Sequence, residues 1–313
     1  MRLAVYLPFV FALLATPGAR LLSRRCEPRL ATWLLTLSGG VLAAASTISL
    51  AMLALTGLLR VPELAALGQW SLGLAARKDP VELSVAATAG LVLALTAAAA
   101  VRMLWKRCRS LARAIVEASC LAATDDLVIV DDPVPDAFAL PGLPGRVVVS
   151  TGMLAALDTG ERDILLAHER AHLTEHHYAF VAIAQLCAAA NPLLRPLARA
   201  VAYTVERWAD EQAATATGDR GRVARTVGKA ALATHRSGTR PRATATALNV
   251  RGERGGVPGS AGPVPRRVAA LLGPPIRRRA VPALVTTAVL AAAAWSTADA
   301  VQDLHVLLGF VGI

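Results

Sequence analysis

The sequence predicts an α-helical membrane protein with four transmembrane helices and an α+β domain held between the third and fourth spans. Three observations predict it. The chain is too apolar for an ordinary soluble protein: of 313 residues, 55% are hydrophobic and only 18% charged. Four windows are nearly free of charge, and each approaches the ~20 residues a helix needs to cross a ~30 Å hydrocarbon core. The stretch between the third and fourth windows instead carries short β-branched runs, turn clusters and helical segments, the pattern of a folded domain. The length suffices for one sizeable core or two modest ones.

The windows set the domain boundaries. Residues 1–105 hold three spans, at about 3–20, 31–58 and 83–104; residues 106–279 form the domain; residues 280–313 hold the fourth span and a short outer tail. The first window lies between Arg2 and Arg20 and is the shortest. A signal peptide is its alternative, but the positive start is weak and a basic loop with another span follows at once.

Charge orients the spans. The formal net charge is +11, and the surplus is mostly arginine. Such a charge suits nucleic acid or the cytoplasmic flanks of membrane spans, and the apolar content favours the flanks. Direct nucleic-acid contact is therefore not expected. Arg20, Arg24, Arg25 and Arg29 follow the first span; Arg102, Lys106, Arg107, Arg109 and Arg113 follow the third; Arg277, Arg278 and Arg279 precede the fourth. The positive-inside rule places all three clusters, and the domain with them, in the cytoplasm of a multi-pass cell-membrane protein. The loop between the second and third spans, with Arg60, Glu63, Arg77, Lys78, Asp79 and Glu82, is mixed. Cys26, Cys108, Cys120 and Cys187 have no paired spacing, and free thiols in a reducing compartment are expected.

Within the domain, residues 106–122 read as a basic helix leaving the membrane. Leu127–Val130 reads as a strand closed by Asp131, Asp132 and Pro133, and Arg146–Ser150 as a second strand after the Pro141–Gly145 turn cluster. A short helix at about 152–157 then leads to a longer one. Residues 178–190 read as an apolar core helix, too short to span, broken at Asn191-Pro192 and Arg195-Pro196. Re-entrant membrane contact is its alternative. Residues 236–266 read as a flexible basic loop, and Val268–Leu272 as a short apolar helix before the last span.

The chemistry concentrates in the longer helix. His168-Glu169-Arg170-Ala171-His172 follows Ile164-Leu165-Leu166-Ala167 with no glycine or proline between. Residues four apart share a helix face, so both imidazoles can reach one ion while Glu169 lies beside it. Zinc accepts such nitrogen ligands, and a neighbouring carboxylate can take a proton from metal-bound water, the logic of H-E-x-x-H in metalloproteases. A third protein ligand is needed. Glu175, His176, His177, Glu206, Asp210 and Glu211 are the candidates. Three histidines along one straight helix spread over ~11 Å, too far to share an ion. Glu206 and Asp210 share a face of a later helix, so one can bind metal while the other receives an N–H from a ligating imidazole. Val147–Ser150, with Val148 and Val149 at its centre, is a candidate edge strand for substrate backbone, with an internal strand as the alternative. Tyr203, His176 and His177 are candidates for transition-state or substrate contact.

Four stretches occur in order: Asp136–Gly142, Val147–Gly152, Leu166–His172 and Glu206–Asp210. Together they resemble the integral-membrane gluzincin metallopeptidases, most closely the BlaR/MecR-type sensor–transducers. The HtpX and CAAX prenyl protease group is similar in the same motifs. The resemblance implies zinc held by His168, His172 and Glu206, Glu169 as the general base, and Asp210 supporting a ligand. It implies a zinc-dependent endopeptidase acting on a protein substrate at the cytoplasmic side, in signalling such as cleavage of a transcriptional repressor. HtpX-like quality control of membrane proteins and a non-catalytic, metal-containing transducer are the alternatives. The β-lactam sensors carry a penicillin-binding domain after the fourth span; none is expected here, which leaves the activating signal open. The lipid bilayer is an expected partner, and a homo-oligomer is compatible with the sequence.

Overall fold

The structure is a computed structural model that describes residues 4–58, 83–121, 125–236, 263–276 and 280–311. Among the described residues, ten helices of more than one turn and three strands follow one another. They are α1 (Leu7–Arg25), α2 (Pro28–Leu58), α3 (Leu83–Cys120), β1 (Leu127–Val130), β2 (Ala137–Leu140), β3 (Arg146–Ser150), α4 (Thr151–Ala156), α5 (Thr159–Thr174), α6 (His177–Ala190), α7 (Arg195–Thr217), α8 (Arg220–Arg236), α9 (Pro263–Leu272) and α10 (Ala280–Val311). The loop between the second and third expected spans, most of the basic loop 236–266, and Arg277–Arg279 lie outside the described residues.

Among the described residues, three helical segments are long and apolar enough to cross a membrane: Pro28–Gly57, Leu83–Cys120 and Ala283–Asp303. The expected count of four is not reproduced. α1 is the exception, because Arg20, Arg24 and Arg25 occupy its last turns. Its uncharged part, residues 7–19, covers about 20 Å at 1.5 Å per residue, short of a ~30 Å core. α3 continues without a break from its apolar half into its basic half. Leu91, Leu95, Val101, Leu104 and Trp105 are exposed along it, an apolar surface of the kind that lipid covers.

The sheet corrects the expected strand pattern. β2, which the turn residues around it conceal in the sequence, pairs antiparallel with β3, Ala137 opposite Val149 and Leu140 opposite Arg146. β1 pairs parallel with β3, Leu127 opposite Val147 and Val130 opposite Ser150. β3 is therefore the central strand of the order β1-β3-β2, not an edge. Val147, Val148 and Val149 are all buried, and both of the strand's backbone edges are paired. The candidate substrate edge at Val148 and Val149 is thus withdrawn.

Local chemistry sets the entry to the helices that matter. Ser150 ends β3 and caps α4: its Oγ accepts from the Met153 amide at 3.1 Å and from the Asp136 amide at 2.9 Å. Asp158 and Glu161 form a reciprocal capping box at the start of α5. His176, in the left-handed region at φ 52°, makes the corner between α5 and α6. α7 ends at Gly218, at φ 72°, where a residue without Cβ is favoured.

The cores bind the domain to the membrane helices. Ala19, Leu22, Cys26, Ala31 and Leu35 of the first two helices and their link pack with Phe180, Val181, Ala184, Leu197, Val201, Val205 and Trp208 of α6 and α7. Behind the sheet, Ala137, Val147, Val149, Met153, Leu157 and Leu165 form a second cluster. Ile164 packs with Ala213, Ala214, Val223, Ala224 and Leu271, which holds α5 against α7, α8 and α9.

Gly152 tests this packing. A Cβ there would lie 2.2 Å from the Pro133 carbonyl oxygen, a backbone atom that cannot step aside. Gly152→Ala is expected to destabilise the fold by about 1–3 kcal/mol, the range for overpacking. Gly40→Ala, where nothing lies within 4 Å, should be neutral or slightly stabilising. Thermal unfolding of the two purified variants in detergent checks the contrast.

Candidate metal centre

α5 and α7 lie side by side, and their facing turns carry the functional groups. His168 and His172 are one turn apart on α5, with Nε2 atoms 3.2 Å from one another. From α7, Glu206 brings its two carboxylate oxygens to 3.8 Å, Oε2 from His168 and Oε1 from His172. One ligand atom from each residue lies within 4.8 Å of the others. A tetrahedral zinc with bonds near 2.0–2.1 Å sets its ligand atoms about 3.3–3.4 Å apart, so this spacing fits such an ion.

Second partners orient each ligand. His168 Nδ1 faces Asp210 Oδ1 at 3.2 Å. A proton on Nδ1 then leaves the Nε2 lone pair turned into the cluster. His172 Nδ1 lies 3.0 Å from His177 Nδ1. For His172 to offer Nε2 to an ion, its Nδ1–H donates and His177 Nδ1 accepts. His177 then carries its own proton on Nε2, a buried atom with no hydrogen-bond partner among the described residues. His177 has 0% exposure and packs on Trp208 with ring centroids 4.6 Å apart. It therefore stands enclosed behind His172 and, against expectation, is not open to substrate.

Arg267 is the residue that sequence reasoning missed. It projects from α9 and donates from Nε to Asp210 Oδ2 at 2.7 Å, from Nη2 to Asp210 Oδ1 at 2.6 Å, and from Nη1 to Glu206 Oε2 at 2.6 Å. The fork takes both oxygens of Asp210 and one of Glu206, leaving Glu206 Oε1 turned to His172. Nothing in the sequence singled Arg267 out, because it lies 57 residues beyond Asp210, just past the stretch 236–266 that reads as a flexible basic loop. Its one signal is an arginine at the head of the apolar run Val268–Leu272.

The charges answer to these contacts. Burial pushes the Asp210 carboxyl up, but the charge and hydrogen bonds of Arg267, with His168 behind them, hold it well below the usual carboxylate range. Burial lowers Arg267, and Asp210 and Glu206 more than reverse that. Burial also lowers His168, yet the hydrogen bond and charge of Asp210 leave it raised. Burial, with the charges of His168 and Arg267, takes His172 well below its ordinary value. Burial takes His177 down to about 2.

The other candidates stand apart from the group of His168, His172 and Glu206. Glu175 accepts from Gln212 at 3.1 Å, and Glu211 pairs with Arg220. His176 is exposed at the α5–α6 corner beside Tyr178. Tyr203 lies a turn before Glu206 with the Arg266 guanidinium 4.5 Å above its ring. Arg170, within the motif, faces away and grips Asp126 with two bonds of 2.7 Å, tying α5 to the turn before β1.

The model of peptidase family M48 matches residues 104–189. The match takes in the end of α3, the sheet, α5 with its H-E-x-x-H motif, and α6. It supports an M48-type metallopeptidase, a peptide-bond hydrolase. Glu206, Asp210 and Arg267 lie beyond the matched residues and join the M48 segment through the fold. The match does not single out the BlaR/MecR-type group. No curated protein and no solved structure matches the chain.

Arg267→Met should lower the affinity for a divalent ion about 10–100-fold, the usual effect of losing a partner behind a ligand. Competition with a chromogenic chelator measures it. The metal-free protein should also lose stability as the pH falls below about 6.5. His172 and His177 are depressed when folded and take up protons on unfolding, at about 1.4 kcal/mol per pH unit for each. His168 is raised and works the other way, stabilising at low pH and losing that contribution as the pH rises. Two against one leaves a net fall in melting temperature on acidification, and His177→Phe should flatten it.

Proposed function

We propose that this protein is an integral-membrane zinc endopeptidase that cleaves protein substrates at the cytoplasmic face. The observation that carries the reading is the meeting of His168, His172 and Glu206 beside Glu169, with the two histidines and Glu169 in a segment matched by an M48 peptidase model. Zinc bound there supplies Lewis acidity to a water and to the scissile carbonyl. Glu169, half-buried one residue from His168, accepts the water's proton on its carboxylate and passes it to the departing amine. Asp210 and His177 keep the two imidazoles in the tautomer that offers Nε2. Arg267 offsets the two carboxylates it touches and holds Glu206 with one oxygen free.

In this reading α2, α3 and α10 cross the membrane, α1 packs beside them with its arginine end at the cytoplasmic surface, and the arginines at 20–29 and 102–113 keep the domain in the cytoplasm. The activity serves regulated proteolysis, with a cytoplasmic protein such as a transcriptional repressor as substrate. This use rests on the placement of the domain between α3 and α10. Quality control of membrane proteins is the second reading. It is favoured by the direct packing of α1 and α2 against α7, the helix that carries Glu206.

Glu169→Gln is expected to retain one zinc per chain and to slow cleavage by about 10²–10⁴-fold, the contribution of a general base. Casein digestion and metal content of the purified protein check the two halves. A variant that digests casein at the wild-type rate would remove Glu169 from the mechanism.

A further inference from the structure

The hairpin of α6 and α7 reaches far from the catalytic cluster, and its tip is built for apolar surroundings. Asn191 and the single turn Pro192–Leu194 join the two helices. Leu194 packs with Ala12 of α1, Leu42 and Ala43 of α2, Cys187 of α6 and Ala293 of α10. Ala293 is midway along the Ala283–Asp303 span. Asn191 Nδ2 donates to Ser46 Oγ at 2.9 Å, both groups buried. Ser46 lies about 18 Å from the Leu58 end of α2 at 1.5 Å per residue, well inside that span.

Irregular backbone is tolerated at such depth only where its polar groups are satisfied within the protein. Here they are. The Asn191 amide donates to Cys187 O at 2.8 Å, and Pro192 has no N–H to satisfy. The Leu193 amide donates to Asn191 Oδ1 at 3.0 Å, the Leu194 amide to Asn191 O at 3.0 Å, and the Arg195 amide to Pro192 O. Leu193 and, on the other arm, Ile183 present exposed apolar side chains. Arg195, the first residue of α7 beside the tip, and Arg199, one turn further on, are exposed; their long side chains can lie along apolar surface and carry the charge toward the headgroups.

We propose that the α6–α7 hairpin is a re-entrant membrane element whose tip and outer face lie against lipid acyl chains. α6 is too short to cross, and α7 returns to the side it came from. Glu206 then stands about 18 Å along α7 from the inserted tip, which pins the metal centre close to the bilayer surface. The proposal rests on reading α2, α3 and α10 as spans.

The test uses the full chain in phosphatidylcholine proteoliposomes, with Cys108→Ser and Cys120→Ser removing the two exposed thiols. A bimane label is placed at Leu193→Cys or Ile183→Cys, with Leu95→Cys on α3 as the lipid reference and Ala216→Cys near the end of α7 as the aqueous one. Lipid brominated on its acyl chains should quench the labels at 193 and 183 as strongly as the label at 95. Aqueous iodide should quench them about tenfold less than the label at 216, as expected for groups in hydrocarbon. Iodide quenching equal to that at 216, without quenching by brominated lipid, overturns the proposal. If one variant does not fold, the other reports on the same hairpin. Loss of acyl-chain quenching at 95 as well would instead sink the membrane reading, and the Glu169→Gln result is independent of both.

Discussion

Asp210 is buried at 1% exposure between a histidine that needs its charge and an arginine that neutralises it. A carboxylate in such a place is tolerable only if it is paired, and removing one partner of a buried pair commonly costs about 3–5 kcal/mol. The rest of the centre follows from meeting that condition. Arg267 must be delivered, so α9 must dock against α7 and α8. The guanidinium that answers Asp210 also takes one oxygen of Glu206 and so sets the rotamer of the third ligand. His168, on the other side of Asp210, is turned to offer Nε2. Three elements far apart in the chain are thereby held together, α9 to α7 by the hydrogen bonds of Arg267 and α5 to α7 by the close approach of His168 to Asp210.

The same helices face two environments. The α5 side of α7 is polar and carries the carboxylates. The opposite side, through Leu197, Val201, Val205 and Trp208, packs on α1 and α2. Thr204 crosses this seam, its hydroxyl 2.9 Å from that of Thr32 on α2, and the Arg207 guanidinium donates to Ser23 O at 3.1 Å, both contacts buried. The peptidase helices are thus packed onto the membrane helices as part of one core rather than tethered to them. A shift of α1 or α2 would be felt one helix away from Glu206.

Much of this was legible beforehand. The motif helix, the apolar helix that ends at Ala190, the break at Asn191-Pro192 and the pairing of Glu206 with Asp210 on one face all follow from spacing, because helical periodicity is local. β1 and β3 were legible as β-branched runs. β2 was not, since its four residues sit among prolines and aspartates that signal turns. Its pairing with β3 is a tertiary event, and that pairing moves Val148 and Val149 from an expected edge to the centre of the sheet.

By itself, the sequence determined the chemistry that could occur: two imidazoles a turn apart, a carboxylate beside them, a second pair of carboxylates downstream, and apolar helices long enough to cross a bilayer. Only the tertiary structure decided which groups complete the centre. Arg267 contacts Asp210 and Glu206 across a loop of the chain, and His177 leaves the substrate side to stand behind His172. Neither is visible in a local pattern, because hydrogen bonds between distant segments depend on how helices pack and not on how residues are spaced. The depth of the α6–α7 tip was decided in the same way, by the contacts of Leu194 and Asn191 with the middle of the spans.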